Sequence, residues 1–239
     1  MERQGRRELG ILSVVAGVVV ALALGAAPWR SAQAAVEPFN QAQVFFEYNS
    51  AEGNIGLQLF FDGKWTEVEI LDPRGRAIFE TETQGKLRRV GGAEVRFESV
   101  EPSFDPTNPD FFKKFPAGPY TFNGKAADGG KLKSTVMLSH DLPAAPTIVD
   151  PPVSADIEWT WTQGHVAPFQ AALAGFQVIV EIVMADEVVR SLSIDLPPGA
   201  NSFTIPSEFL PAPLGAEILF EVLAVADNRN RTIAQGVLQ

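Results

Sequence analysis

The stretch DIEWTWTQGHV, residues 156–166, decides the fold of this chain. Two tryptophans two residues apart are either a surface platform for stacking a ligand or the floor of a core. In an extended strand, successive side chains alternate between faces. Ile157, Trp159 and Trp161 then share one face, and Asp156, Glu158, Thr160 and Thr162 share the other. The charged face is the wet one, so the tryptophans are expected to point inward. Burying one such ring is worth roughly 2–3 kcal/mol. The chain has no cysteine, so no disulfide can replace that contribution.

Period-two alternation continues on both sides of this stretch. Upstream, Val44, Phe46 and Tyr48 alternate with Gln43, Phe45 and Glu47, and Ile55, Leu57, Leu59 and Phe61 alternate with Gly56, Gln58, Phe60 and Asp62. Half-buried strands have this pattern. Turn chemistry separates them: Asp62-Gly63 suits a tight hairpin, Asp72-Pro73-Arg74-Gly75 a β-turn, and Asp128-Gly129-Gly130 a further turn. One helix is expected near 109–115, with Asn108 as cap, Pro109 in the first position, and Pro116 and Gly118 as the stop. Downstream, seven strands are expected: 146–149, 157–162, 175–181, 188–194, 202–205, 218–225 and 232–238. The proline-rich stretch 140–152 reads as a stiff linker. The expected organisation is all-β, with a sandwich domain over 40–141 and a second over 142–239.

The second half resembles a fibronectin type III domain. The residues that carry the resemblance are the proline-led first strand, Trp161 at the end of the second, GFQVIVE (175–181) and FLPAPLGAEILFEVLAVADNRNRT (209–232). The corner tyrosine of that family falls on Ile218, so its hydrogen bond must be absent or replaced. FPAGPYTF (115–122) looks like the entry to a late strand of bacterial immunoglobulin-like domains. The whole chain resembles secreted bacterial proteins that pair a strand-rich domain with a fibronectin-like one. The residues in common are DGKWTEVEILDPRGRAIFE (62–80), FPAGPYTFNGKAADGGKL (115–132) and GFQVIVE. That resemblance implies an architecture and no activity.

Residues 1–34 read as a secretory signal peptide: Arg3, Arg6 and Arg7, an apolar run from Leu9 to Ala27, then Ser31-Ala32-Gln33-Ala34 before the cut. An uncleaved anchor is the alternative, because the run is nearly long enough to span a bilayer. Cleavage would leave 15 basic against 27 acidic groups, a net charge of −12. Such a chain repels nucleic acid and anionic lipid. Secretion or residence in a periplasm is expected, with no stable membrane insertion after cleavage.

Little in the sequence carries catalytic chemistry. A nucleophilic triad needs an activated Ser or Cys beside a base; there is no cysteine, no Gly-x-Ser-x-Gly elbow, and the two histidines are His140 and His165. Two histidines 25 residues apart do not make a zinc site. Glu67 and Glu69 share a strand face, which reads as a solvated surface rather than a glycosidase pair. No cofactor is expected. Calcium is the metal that the sequence leaves open, because Glu101, Asp105 and Asp110 crowd one loop, with Asn108, and Asn49, Glu52 and Asn54 another; turns and caps use the same residues. For binding, the candidates are Phe104 and Phe112, His165, and Asn228. The two phenylalanines belong to an aromatic segment that either closes one end of a sandwich or forms an exposed apolar patch. The expected function is a non-catalytic binding or structural module that engages an unknown protein or polysaccharide, with a hydrolase accessory protein as a further alternative. A carbohydrate-binding module, with Trp65 and Phe60 as the platform to test, is the alternative.

Overall fold

The computed structural model describes residues 35–106, 110–149 and 155–238. The signal-peptide segment, the Asn108–Pro109 cap and the end of the linker lie outside the described residues. Ala34–Gln239 forms one compact unit. The fold is all-β. Among the described residues no helix is long and apolar enough to cross a bilayer.

The first half is built on one long strand. In chain order the elements are β1 (Val36–Glu37), β2 (Gln41–Asn49), β3 (Asn54–Leu71), β4 (Ala77–Glu82), β5 (Gly92–Glu98), α1 (Asp110–Lys114), β6 (Gly118–Ala126) and β7 (Lys131–Leu138). The first part of β3 pairs with β2 and β5, and the second part with β4 and β6. Asp62-Gly63 is therefore not a hairpin. β3 runs through it, and its pairing shifts between Asp62 and Trp65. Up to Phe61 the odd-numbered residues Ile55, Leu57 and Leu59 face the core; beyond the shift Val68 and Ile70 do. That change of parity lets one strand serve both layers, which close on a single cluster where Phe61 meets Phe79 and Phe122 edge-on. The Asp72 turn forms as expected, with Gly75 at φ 74° and its N–H donating to Asp72 O. The β6–β7 hairpin turns at Asp128–Gly130.

The second half holds the seven expected strands: β8 (Thr147–Ile148), β9 (Asp156–Thr160), β10 (Leu173–Met184), β11 (Glu187–Leu196), β12 (Ser202–Thr204), β13 (Glu217–Ala226) and β14 (Arg231–Leu238). β12, β9 and β8 make one sheet, and β11, β10, β13 and β14 lie side by side in the other. Between them lies a second cluster: Ile157, Trp159, Phe176, Val178, Val180, Ile205, Phe220 and Val222. Trp159 is 1% exposed, so the core reading holds for it. Trp161 needs a correction. The strand stops at Thr160, and Trp161 sits half-buried at the cluster's border, its indole N–H donating to Ala144 O at 2.8 Å. The corner tyrosine missing at Ile218 has a counterpart in the first half: buried Tyr120 donates to Pro116 O, four residues upstream, at 3.1 Å.

The two halves share a sheet. β14 pairs in parallel with β2, Arg231 opposite Glu47 and Ile233 opposite Asn49. Asn230, with no exposed surface, closes the join. Its Oδ1 accepts the Phe46 N–H at 2.8 Å, and its Nδ2 donates to Ser139 O and Asp141 O at 2.9 and 2.7 Å. Thr232 Oγ1 donates to Pro143 O at 2.7 Å.

Candidate functional site

The parallel join makes one outer face out of two halves. Strands β5, β3, β2, β14, β13, β10 and β11 are hydrogen-bonded in that order, and their outward residues line a trough of about 480 Å³. Its floor includes Phe45, Phe60, Ile179 and Leu223, and its walls Gln43, Gln58, Gln177, Glu47, Glu98, Glu221, Arg96 and Arg231. Strand alternation puts each of these outward, because the residues between them fill the two cores. The rings of the floor are roofed: Arg96 lies 4.6 Å over Phe60, and Arg231 4.7 Å over Phe45.

Carboxylates dominate the charge here. Oxygens of Glu47, Glu98 and Glu101 all lie within 4.8 Å of one another. Glu47 sits 3.6 Å from Arg231, which also donates to Gln177 Oε1 at 3.0 Å. Burial pushes the Glu47 carboxyl up to about 7; Arg231 opposes this, and Glu98 and Glu221 add to it. Glu101 rises to about 7 as well, through burial first and then the charge of Glu98 and a hydrogen bond with it. Glu221 is raised by burial and by Glu181 and Glu101. Burial also draws the Arg231 guanidinium down, against the pull of Glu47. Gly56 makes room for this cluster, since a Cβ there would stand 3.0 Å from Glu101 Oε1. Of the negative charge gathered above the apolar floor, that of Glu47 and Glu101 switches on near neutral pH. The carboxylates of the trough can take a cation or hold a proton, and its amides can both donate and accept.

The residues singled out in the sequence scatter around this site. Glu101 joins it. Asp105 and Asp110 do not belong to the close carboxylate group; Asp110 pairs with Lys113 at 2.6 Å. Asn49 holds a turn, its Oδ1 accepting the N–H groups of Ala51 and Glu52. The exposed-patch reading of Phe104 and Phe112 is corrected, because both are buried. They pack on each other, and Phe112 packs on Phe46 and stacks on His140 at 4.3 Å, so the segment closes the end of the first core. The Trp65–Phe60 platform is corrected too, with Trp65 5% and Phe60 9% exposed. Asn228 spends its amide on Asp141 O at 2.8 Å and so belongs to the join. His165 is exposed in the loop between β9 and β10. Glu47, Glu98, Arg96, Gln177, Glu221 and Arg231 went unread, because they meet only once β3 has paired with β2 and β5 and β14 has reached β2. The one signal for them in the sequence is the row of polar residues on the outward side of each alternating strand.

No protein-family model matches the chain, and no curated protein does. Among solved structures, the chain is similar to the FN1–FN3 domains of chicken CNTN1, at 13% identity and a TM-score of 0.29, over 85% of this chain and 68% of that one. It is also similar to trypsin-activated alpha-2-macroglobulin from Escherichia coli, at 12% identity and a TM-score of 0.27, over 86% of this chain and 16% of that one. The fold rests on the strand pairing of this chain.

Proposed function

We propose that this chain is an exported, non-catalytic binding module that receives an extended, positively charged segment of a partner protein in the trough. The observation that carries the reading is the trough itself, an apolar floor ringed by amides and close carboxylates that crosses the join between the halves. Pockets that bind ligands combine such a floor with a few convergent polar groups. Charges of one sign crowded in a concave site raise the local concentration of the opposite sign. The covered aromatic rings favour a peptide over a sugar, which would need a bare ring to stack on.

The test uses defined probes: a fluorescent oligolysine peptide, an oligoglutamate peptide and a neutral oligosaccharide. Oligolysine is expected to bind, and to bind on the order of tenfold tighter at pH 8 than at pH 6 as carboxyls near 7 ionise. Glu47→Gln with Glu221→Gln should weaken it. Preference for the oligosaccharide, or oligolysine binding untouched by the two substitutions, would sink the reading.

A further inference from the structure

On the outer face of the other layer of the first half, two rungs place glutamate directly opposite glutamate: Glu67 faces Glu82, and Glu69 faces Glu80. Like charges opposed across a strand pair are destabilising. The same rungs continue into β6 and β7 with the opposite sign. Glu67 faces Lys125, which faces Lys131, while Glu69 faces Asn123, which faces Lys133. The face therefore runs from four carboxylates on β4 and β3 to three ammonium groups on β6 and β7. It surrounds a hollow of about 980 Å³. Glu67 is partly answered by Lys125 at 3.4 Å and Arg88 at 3.8 Å. Among the described residues no ion pair reaches Glu69, Glu80, Glu82, Lys131 or Lys133.

We infer that this face binds a second copy of the chain through a two-fold axis running parallel to the strands, between β3 and β6. That axis exchanges left for right and keeps the rungs in register. It lays Glu82 over Lys131 of the second copy, Glu80 over Lys133 and Glu67 over Lys125, and each contact occurs twice, as an isologous interface requires. The arrangement supplies the positive partner that the opposed glutamates lack within one chain. A ligand of a single sign would leave half of the face uncompensated, whereas a second copy matches both halves. Because the contacts are exposed charges, the association is salt-sensitive. It is independent of the trough, which lies on the other layer.

Sedimentation of the purified protein at about 0.1 mM tests this. At about 0.05 M salt the chain is expected as a dimer, and at about 0.5 M as a monomer. Glu80→Lys with Glu82→Lys makes both outer edges of the face, β4 and β7, basic, and Lys131→Glu with Lys133→Glu makes both acidic. Each double variant should be monomeric at low salt, with an unchanged circular dichroism spectrum as the check on folding. Mixed together they should form a heterodimer, since each then carries what the other lost. A wild type that stays monomeric at low salt, or double variants that still dimerise alone, would overturn the inference. So would a mixture that fails to pair.

Discussion

Asn230 sits at the join of the two halves, and it uses both ends of its amide on backbone groups of β2 and of residues 139–141. Asn230→Ala leaves the buried Phe46 N–H and the half-buried Ser139 carbonyl without partners, while Asp141 O keeps the Asn228 amide. Each such group costs about 1–3 kcal/mol, so a loss of at least ~2 kcal/mol is expected in urea unfolding. Tyr120→Phe removes one buried hydrogen bond and keeps the ring, so about 1 kcal/mol is expected by the same measurement. Gly56→Ala should push the Glu101 carboxyl out of the cluster, lowering the pH at which the trough ionises while leaving the strand paired. Titration of the glutamate carboxyls by NMR would show it. Of these residues the sequence flagged Glu101 alone by its chemistry. A buried asparagine in a turn looks like any turn asparagine until its acceptors, 89 and 91 residues away, are known.

Whole strands were more legible than single residues. The seven strands of the second half appear where the sequence placed them, most plainly β9 and β10, which alternate between a core face and a wetter one. The Asp72 turn was legible for a local reason: its carboxylate accepts the N–H groups of Arg74 and Arg76 and pairs with the Arg76 side chain at 2.7 Å. Burial raises that carboxyl, but the Arg76 backbone and side-chain hydrogen bonds and the Arg74 N–H outweigh it, and its pKa falls below the usual value. Asp72→Asn is expected to loosen the β3–β4 turn and lower the melting temperature. Asp62-Gly63 misled because its turn chemistry is real, yet both flanks belong to one strand that changes layer, and tertiary pairing overrides a local preference. Trp161 misled because alternation says nothing about where a strand stops.

For the molecule as a whole, the trough makes stability depend on pH. The Glu47 carboxyl, at 4.5 when unfolded and about 7 when folded, binds more protons in the native state between those values. Its contribution is fully present below pH 4.5 and is lost as pH rises through 7. For a side chain 16% exposed that loss is on the order of 3 kcal/mol at most. Asp72 works in the opposite sense, and its contribution is lost in strong acid. The melting temperature is therefore expected to peak in the mildly acidic range and to fall between pH 5 and pH 8, and Glu47→Gln should flatten that fall. The site was illegible from sequence because its parts sit on strands that neighbour one another only in the finished sheet. That lateness also shapes how the molecule comes into being. Until residues 231–233 emerge, β2 offers a row of unsatisfied backbone groups to whatever strand drifts past. A fragment ending near residue 142 should consequently clump with its own kind in light scattering, and the intact chain should settle slowly, because its last strand must find a neighbour that was synthesised first.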